Sequence, residues 1–372
     1  MTFFTIYFSV FSILLLLDRL LHYTCLLSSY FLGSSKRTNV KSFLLLIFFS
    51  FSITCVAQHM YVSPNGVASS SGTSWDEALD LEAALERASA GSQLWVMEGT
   101  YKPNELTGRK ASFVFPAGIK VYGGFEGSEE SLTDRRPGNL SILSGNLGDS
   151  QSTADNAYTV VTLQSKADHV TIMDGFMITG GNSRNFRDGL TNGSAGGGLY
   201  VQASTDGLSS HIIANCTFEA NMAHNGGAVL VDTGRPSFEN CIFKNNKADF
   251  NGGAVYNKGT ASLASPIFRD CTFEENSSNS GAGMTNNGTN GESSPLIIGC
   301  DFINNTSLMN GAAIYNVSND DGATQVIMEG CTFVGNDSIL GDDVSDNGIS
   351  KAIAARAKKN GGGSLRPTAV RK

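Results

Sequence analysis

Residues 270–276 read Asp270-Cys271-Thr272-Phe273-Glu274-Glu275-Asn276, and the CxFxxN pattern inside this stretch recurs as Cys216/Phe218/Asn221, Cys241/Phe243/Asn246, Cys300/Phe302/Asn305 and Cys331/Phe333/Asn336. The cysteines stand 25, 30, 29 and 31 residues apart. Self-similarity at such a period marks a stacked array whose units are completed by their neighbours. Ten or eleven residues after each cysteine comes a glycine-rich segment: Gly226-Gly227-Ala228-Val229, Gly252-Gly253-Ala254-Val255, Gly281-Ala282-Gly283-Met284, Gly311-Ala312-Ala313-Ile314 and the altered Gly341-Asp342-Asp343-Val344.

The residue before each cysteine is Asn215, Asn240, Asp270, Gly299 or Gly330, and Gly175 holds the same place when Phe176 and Ile178 are aligned on the Cys and Phe positions. Gly, Asn and Asp are the residues that tolerate a left-handed backbone, so a bend belongs there. Apolar parity supports the bend. Ile213, Phe238, Phe268, Ile297 and Met328 lie three residues before the cysteine, whereas inward residues of one straight strand are an even number apart. Each coil is therefore expected to have three strands: one ending at the bend, one carrying Cys and Phe inward, and one made by the glycine-rich segment. Stacked without intervening helices, such coils form an all-β, right-handed parallel β-helix. Its rungs are about 4.8 Å apart, which turns each motif position into a ladder. A leucine-rich horseshoe is excluded by the missing Leu ladder. The return from the first glycine of one coil to the next cysteine varies from 15 to 20 residues, so the variable loops emerge on one side, where binding is expected.

Ser74 followed by Glu77 reads as a capping box, Leu81, Leu85 and Ala88 fall on one helical face, and Gly91 supplies a stop. This amphipathic helix is expected to cap the N-terminal end of the solenoid. Residues 1–57 differ from the rest. Phe3 to Leu17 and Leu20 to Leu32 are apolar, and Phe43 to Val56 follows Lys36, Arg37 and Lys41. The second block has the anatomy of a secretory signal, with cleavage expected after Ala57. A lipoprotein reading at Cys55 fits poorly with Ser52-Ile53-Thr54. Residues 1–40 admit two readings, a membrane anchor or sequence ahead of the true start near Val40-Lys41-Ser42, and the second is favoured. The expected domains are thus 1–57 for targeting, 58–350 for the β-helix with its cap, and 351–372, with seven basic residues and no acid, as a basic tail or a truncated C-terminal cap.

The whole chain of 372 residues carries a formal charge of −8 and is 16% charged, which argues against disorder. Removing residues 1–57 leaves 22 basic and 33 acidic residues, which points away from nucleic acid as a partner. The mature chain is expected to have no transmembrane segment and to be a monomer. Five cysteines remain, with no CxxC, and none of His59, His169, His211 and His224 recurs with them. Zinc needs convergent ligands, not a stripe, and parallel side chains on adjacent rungs hold Cβ atoms slightly too far apart for a disulfide. Buried free thiols are expected, with the Phe positions as core stacking and the Asn positions as side-chain ladders. The paired glycines are read as close packing, not a phosphate cradle, because no helix follows. No cofactor is expected.

A polysaccharide lyase would present carboxylates for Ca²⁺ and an Arg or Lys base on one face. Arg184, Arg187 and Asp188, in an insertion between Asn182 and Ala195, with Asp232 and Arg235 one coil on, are the candidates, but scattered surface charge accounts for them as well. No catalytic, cofactor-binding or metal residue is assigned.

FxxN paired with GGA and a following Ile, Val or Leu resembles the repeat of the chlamydial polymorphic outer membrane proteins. The segments Tyr61-Val62-Ser63-Pro64-Asn65-Gly66, Gly72-Thr73-Ser74-Trp75, Val121-Tyr122-Gly123-Gly124-Phe125 and Asp174-Gly175-Phe176-Met177-Ile178 resemble secreted β-helix proteins of Bacteroidota. The resemblance runs over about residues 60–346. It implies a secreted or cell-surface, outer-membrane-associated protein, adhesin-like, that binds a glycan or a component of a host or neighbouring surface. It brings no catalytic residues with it. In that family further coils, an autotransporter barrel or a sorting domain usually follow; none is recognised after Asp346, where Ile349 to Lys359 reads either as a short capping helix or as a truncated or frame-shifted end.

Overall fold

The computed structural model describes residues 59–136, 138–184, 196–202, 210–260, 262–319, 321–340, 342–347 and 353–355. The chain divides after Val56, and all of these residues belong to the second unit. The targeting segment, Arg187 and Asp188 lie outside the described residues.

Among the described residues every strand pairing is parallel, and the strands form four sheets. The coil that opens the regular array shows the order. Ile212–Ala214 lies in the first sheet, Thr217–Glu219 in the second, Met222–Asn225 in the third and Val229–Val231 in the fourth, before Ser237–Glu239 starts the next coil beside Ile212–Ala214. The molecule is a parallel β-helix, of the right-handed kind that parallel crossovers adopt. The first sheet runs from His59–Val62 to Ile353–Ala355, the second from Gly99–Tyr101 to Thr332–Val334, the third from Asn182–Ser183 to Asp337–Ser338, and the fourth from Phe113–Phe115 to Val344–Asn347.

Four strands per coil correct the expected three. The additional strand lies between the second strand and the paired glycines, and in one coil it is Ser277–Ser280, with no large apolar side chain to announce it. The glycines themselves are a turn. Gly226 has φ +65°, and a Cβ on Gly227 would lie 2.1 Å from the Gly253 carbonyl oxygen, so the turn needs one left-handed residue and one with no side chain.

The expected bend is present at all six aligned positions, Gly175, Asn215, Asn240, Asp270, Gly299 and Gly330, with φ between +51° and +82°. A second left-handed bend, between the second and third sheets, follows at Gly180, Ala220, Asn245, Glu275, Asn304 and Gly335. Between the two bends the Cys and Phe side chains point inward. All five cysteines are free and buried. Their sulfhydryls point at main-chain carbonyls, as in Cys216 Sγ to Ala214 O at 3.1 Å. The rings of Phe218, Phe243, Phe273, Phe302 and Phe333 stack with centroids 4.6 to 5.2 Å apart. Phe238 and Phe268 stack beside them at 4.9 Å. Burying such a ring stabilises the fold by about 2–3 kcal/mol each, with offset stacking adding up to about 1 kcal/mol.

The helix at the N-terminal end, α1, spans Leu81–Arg87. Ser74 and Glu77 do not start it. They bound a short 3-10 turn, and Asp80 caps α1 by accepting from the Ala83 N–H at 2.8 Å. Leu79 explains the break: it is fully buried and bridges to Val62 in extended conformation, which interrupts helical continuity just before Asp80. Leu81, Ala83, Ala84 and Leu85 are buried, and α1 packs on His59–Val62 and Phe113–Phe115, the outermost strands of the first and fourth sheets. At the other end, most of Ile349 to Lys359, read as a helix, lies outside the described residues. Its described residues, Ile353–Ala355, pair in parallel with Ile327–Glu329. No helix among the described residues is long and apolar enough to cross a membrane.

Candidate functional site

Of the charged residues singled out in the sequence, the described Arg184, Asp232 and Arg235 do not converge. Arg184, just after Asn182–Ser183 in the third sheet, donates from Nε to Asp249 Oδ1 at 2.8 Å, two coils on. Asp232 follows a strand of the fourth sheet, where it receives Lys258 Nζ at 2.8 Å on one oxygen and the Tyr200 hydroxyl at 2.9 Å on the other. Burial first, then the Asp232 carboxylate, pushes the Tyr200 phenol well above its ordinary value, so this hydroxyl remains a donor. Arg235 is exposed on the following turn. These are separate ion pairs on separate sheets, with the acids engaged by their own cations. Among the described residues no three His, Cys, Asp or Glu side chains gather as a metal site.

The return loops are more regular than their lengths suggest. Leu263, Glu292 and Ala323, from three successive returns, pair as parallel bridges, and Asn319 Nδ2 donates to Asn290 Oδ1 at 2.5 Å. The described parts of this side therefore continue the stack.

A concave site lies instead at the corner between the first and second sheets. The segment from Glu126 to Leu140, which joins the Lys120–Phe125 and Ser141–Ser144 strands, folds over this corner. Glu129 anchors the segment: its carboxylate accepts from the backbone N–H groups of Glu126, Gly127 and Ser128 at 2.6 to 3.0 Å. Burial alone would raise this carboxyl, but these amides together with Glu129's own backbone N–H outweigh it and hold the group below its ordinary value. Arg135 then reaches back to the Gly123 carbonyl at 3.1 Å and to Asp174 Oδ1 at 2.8 Å, with its guanidinium over the Tyr122 ring. The second Asp174 oxygen accepts from Asn215 Nδ2 at 3.2 Å, and Asn215 Oδ1 accepts from Asn240 Nδ2 at 2.7 Å. The chain Arg135–Asp174–Asn215–Asn240 thus tracks the corner over three coils. It lines a cavity of about 440 Å³ together with Arg136, Asn139, Leu132 and Leu140, a volume in the range of small-ligand sites. The amide nitrogen of Asn139 is buried with no hydrogen-bond partner among the described residues.

Sequence reasoning placed the bend column correctly but gave its outward side chains no role, and it missed this groove. The groove needs the non-repeating residues 126–140, which carry no periodic signal.

Comparison with known proteins fits the coil geometry. Residues 240–258 and 299–317 each run from the first bend to the end of a fourth-sheet strand. Both segments match the Chlamydia polymorphic membrane protein repeat. The repeat is therefore one coil less its first-sheet strand and return loop. No curated protein matches the chain. Among solved structures, pectate lyase Pel9A is similar at 15% identity, over 82% of this chain and 78% of that one, with a TM-score of 0.46. The pectin methylesterase from Aspergillus niger is similar at 13% identity, over 81% of this chain and 92% of that one, with a TM-score of 0.38. At these values neither similarity bears on the chemistry of this chain.

Proposed function

We propose that the chain is a secreted or cell-surface β-helix protein, adhesin-like, that holds a glycan or another surface component on its outer faces without catalysing a reaction. The observation that carries this reading is the match of two coils to the polymorphic membrane protein repeat, a repeat named for membrane proteins. The arrangement of the side chains supports it. The recurrent Cys, Phe and Asn residues are spent on the interior, and Arg184 and Asp232, put forward for lyase chemistry, are tied into separate ion pairs. On this reading the protein works outside the cell as a monomer, and its outer surface does the recognising.

The test is to offer the purified full-length protein to a glycan array and to immobilised cell-envelope fractions. In parallel, uronic-acid polysaccharides with Ca²⁺ are monitored for the ultraviolet absorbance of unsaturated products. Saturable binding without turnover is expected. Turnover of a uronic-acid polymer, or no binding to any surface offered, overturns the proposal.

A further inference from the structure

The corner groove is charge-balanced. Arg135 is matched by Asp174 at 2.8 Å, and Arg136 by Glu126 at 3.4 Å. Asp174 is the one acid among the described lining residues, and each of its oxygens already accepts a hydrogen bond, from Arg135 and Asn215; a single engaged carboxylate falls well short of the oxygen set that a calcium ion takes. A polyanion would find both arginines already paired, Arg136 by an exposed contact to Glu126 outside the lining, in a chain whose formal charge is already −8.

What the groove does offer is paired giving and taking of hydrogen bonds. Each primary amide has two N–H donors and two acceptor lone pairs. Asn215 uses one donor on Asp174 and one lone pair on Asn240, and Asn240 uses one donor on Asn215, which leaves both side chains with capacity at the exposed corner. Thr217 adds a hydroxyl, and the buried Asn139 Nδ2 lacks an acceptor. A buried donor left unpaired is costly, and a ligand oxygen reaching it as the side chain turns toward the groove would relieve that cost. Beside these groups lie Leu132 and Leu140, the latter 51% exposed. Hydroxyls along one edge and an apolar face on the other describe a sugar ring.

The spacing sets a direction. Asp174, Asn215 and Asn240 follow one another at successive rungs, about 4.8 Å apart, close to the advance per residue of an extended β-linked pyranose chain. We propose that this groove binds a neutral, β-linked oligosaccharide lying along the solenoid axis, with successive rings meeting successive bend residues. The inference rests on the surface-recognition reading above and supplies its ligand class. The groove is largely preformed, because Arg135 is held by the Leu132 and Gly123 carbonyls as well as by Asp174, so little ordering is needed on binding.

The experiment is calorimetric titration of the full-length protein with cellohexaose, xylohexaose and laminarihexaose, and with hexagalacturonate as the charged counterpart, each with and without EDTA. At least one neutral hexaose is expected to bind, unaffected by EDTA and more tightly than hexagalacturonate. Asn215→Gly/Asn240→Gly keeps the left-handed backbone that Gly175 and Gly299 already adopt in this column, and it is expected to weaken binding at least tenfold. Asn139→Ala, on the overlying segment, is expected to weaken it several-fold with no loss of folded signal in circular dichroism. Failure of all three neutral hexaoses, preference for hexagalacturonate, or neutral binding that survives both variants overturns the proposal. If envelope fractions still bind in any of those cases, only the groove assignment falls; if nothing binds, the surface-recognition reading falls with it.

Discussion

Asn276 and Asn305 lie on adjacent rungs, and one oxygen of Asn305 receives both the Asn276 backbone N–H, at 3.1 Å, and the Asn276 Nδ2, at 2.9 Å. The other Asn276 amide hydrogen goes back to the Phe243 carbonyl at 2.9 Å, while Asn276 Oδ1 accepts the same pair of donors from Asn246. Each buried amide in this ladder, from Asn246 to Asn305, is thereby fully used. Asn276→Ala takes one donor from the Phe243 carbonyl and strands two Asn246 donors inside the fold. A loss of about 3–5 kcal/mol is expected in urea unfolding, and Asn276→Asp should be no milder, since it places oxygen against oxygen. A loss under about 1 kcal/mol would show that the ladder is not holding the coils.

Glu275 sits at the second bend with φ +54°, between Asn245 and Asn304 at the same position in the neighbouring coils. A left-handed conformation costs an ordinary L-residue about 1–2 kcal/mol and Asn less. Its ion pair with Lys244, at 3.7 Å and partly exposed, contributes little, and Lys244 keeps Glu274 at 3.2 Å. Glu275→Asn is therefore expected to stabilise by about 0.5–1 kcal/mol, seen as a higher urea midpoint at unchanged m-value. An unchanged or lower midpoint contradicts the strain argument.

That second bend also shows what the sequence could and could not disclose. The first bend was legible because Asn, Asp and Gly fill its column, and each of them announces a left-handed backbone. Ala220 and Glu275 carry no such mark, so tertiary context imposes their conformation and the four-strand coil looks like three. A second buried ladder, Asn257 to Asn286 at 2.7 Å, Asn286 to Asn316 at 2.8 Å and Asn316 to Asp346 at 2.8 Å, was readable from Asn recurring after the glycine-rich segments. The groove was not readable, since Arg135 meets Asp174 across 39 residues with no repeat to connect them.

His211 is buried, with Nε2 at 2.9 Å from Ser165 Oγ and Nδ1 buried with no hydrogen-bond partner among the described residues. Burial pushes its imidazole down from 6.5 to about 4. The unfolded chain takes up a proton near pH 6.5 that the folded chain refuses until about pH 4, so stability is greatest above 6.5 and falls on acidification. Between pH 7 and 5, above the ordinary carboxylate range, His211 alone accounts for a fall of about 2 kcal/mol. His59 and His224, also lowered by burial, act in the same direction. Urea midpoints across this range should fall less steeply in His211→Leu; equal slopes in variant and parent would exclude His211 as the source.

The five column thiols should resist alkylation in the native state. Burial pushes Cys216 up to about 12, and the thiol one coil before is the largest cause of the rise at Cys271, Cys300 and Cys331. At pH 8 about one Cys216 thiol in ten thousand is ionised. Peptide mass spectrometry after iodoacetamide treatment should find these five unlabelled in native protein and labelled in urea. Rapid native labelling of any of them would mean that its coil opens.

The asparagine ladder has a further consequence for how such a molecule can change length. Each rung asks the same thing of its neighbour, so the unit of alteration is a whole turn and not a residue. Excising the 30 residues from Asn246 up to Asn276 seats Asn276 where Asn246 stood, and the Phe218 carbonyl meets an identical amide. Such a chain is expected to unfold cooperatively, whereas removing one residue from the same span misplaces every inward side chain before the next bend. The interior is thus a ruler with interchangeable graduations, and the distance at which the outer faces are presented can be varied one turn at a time.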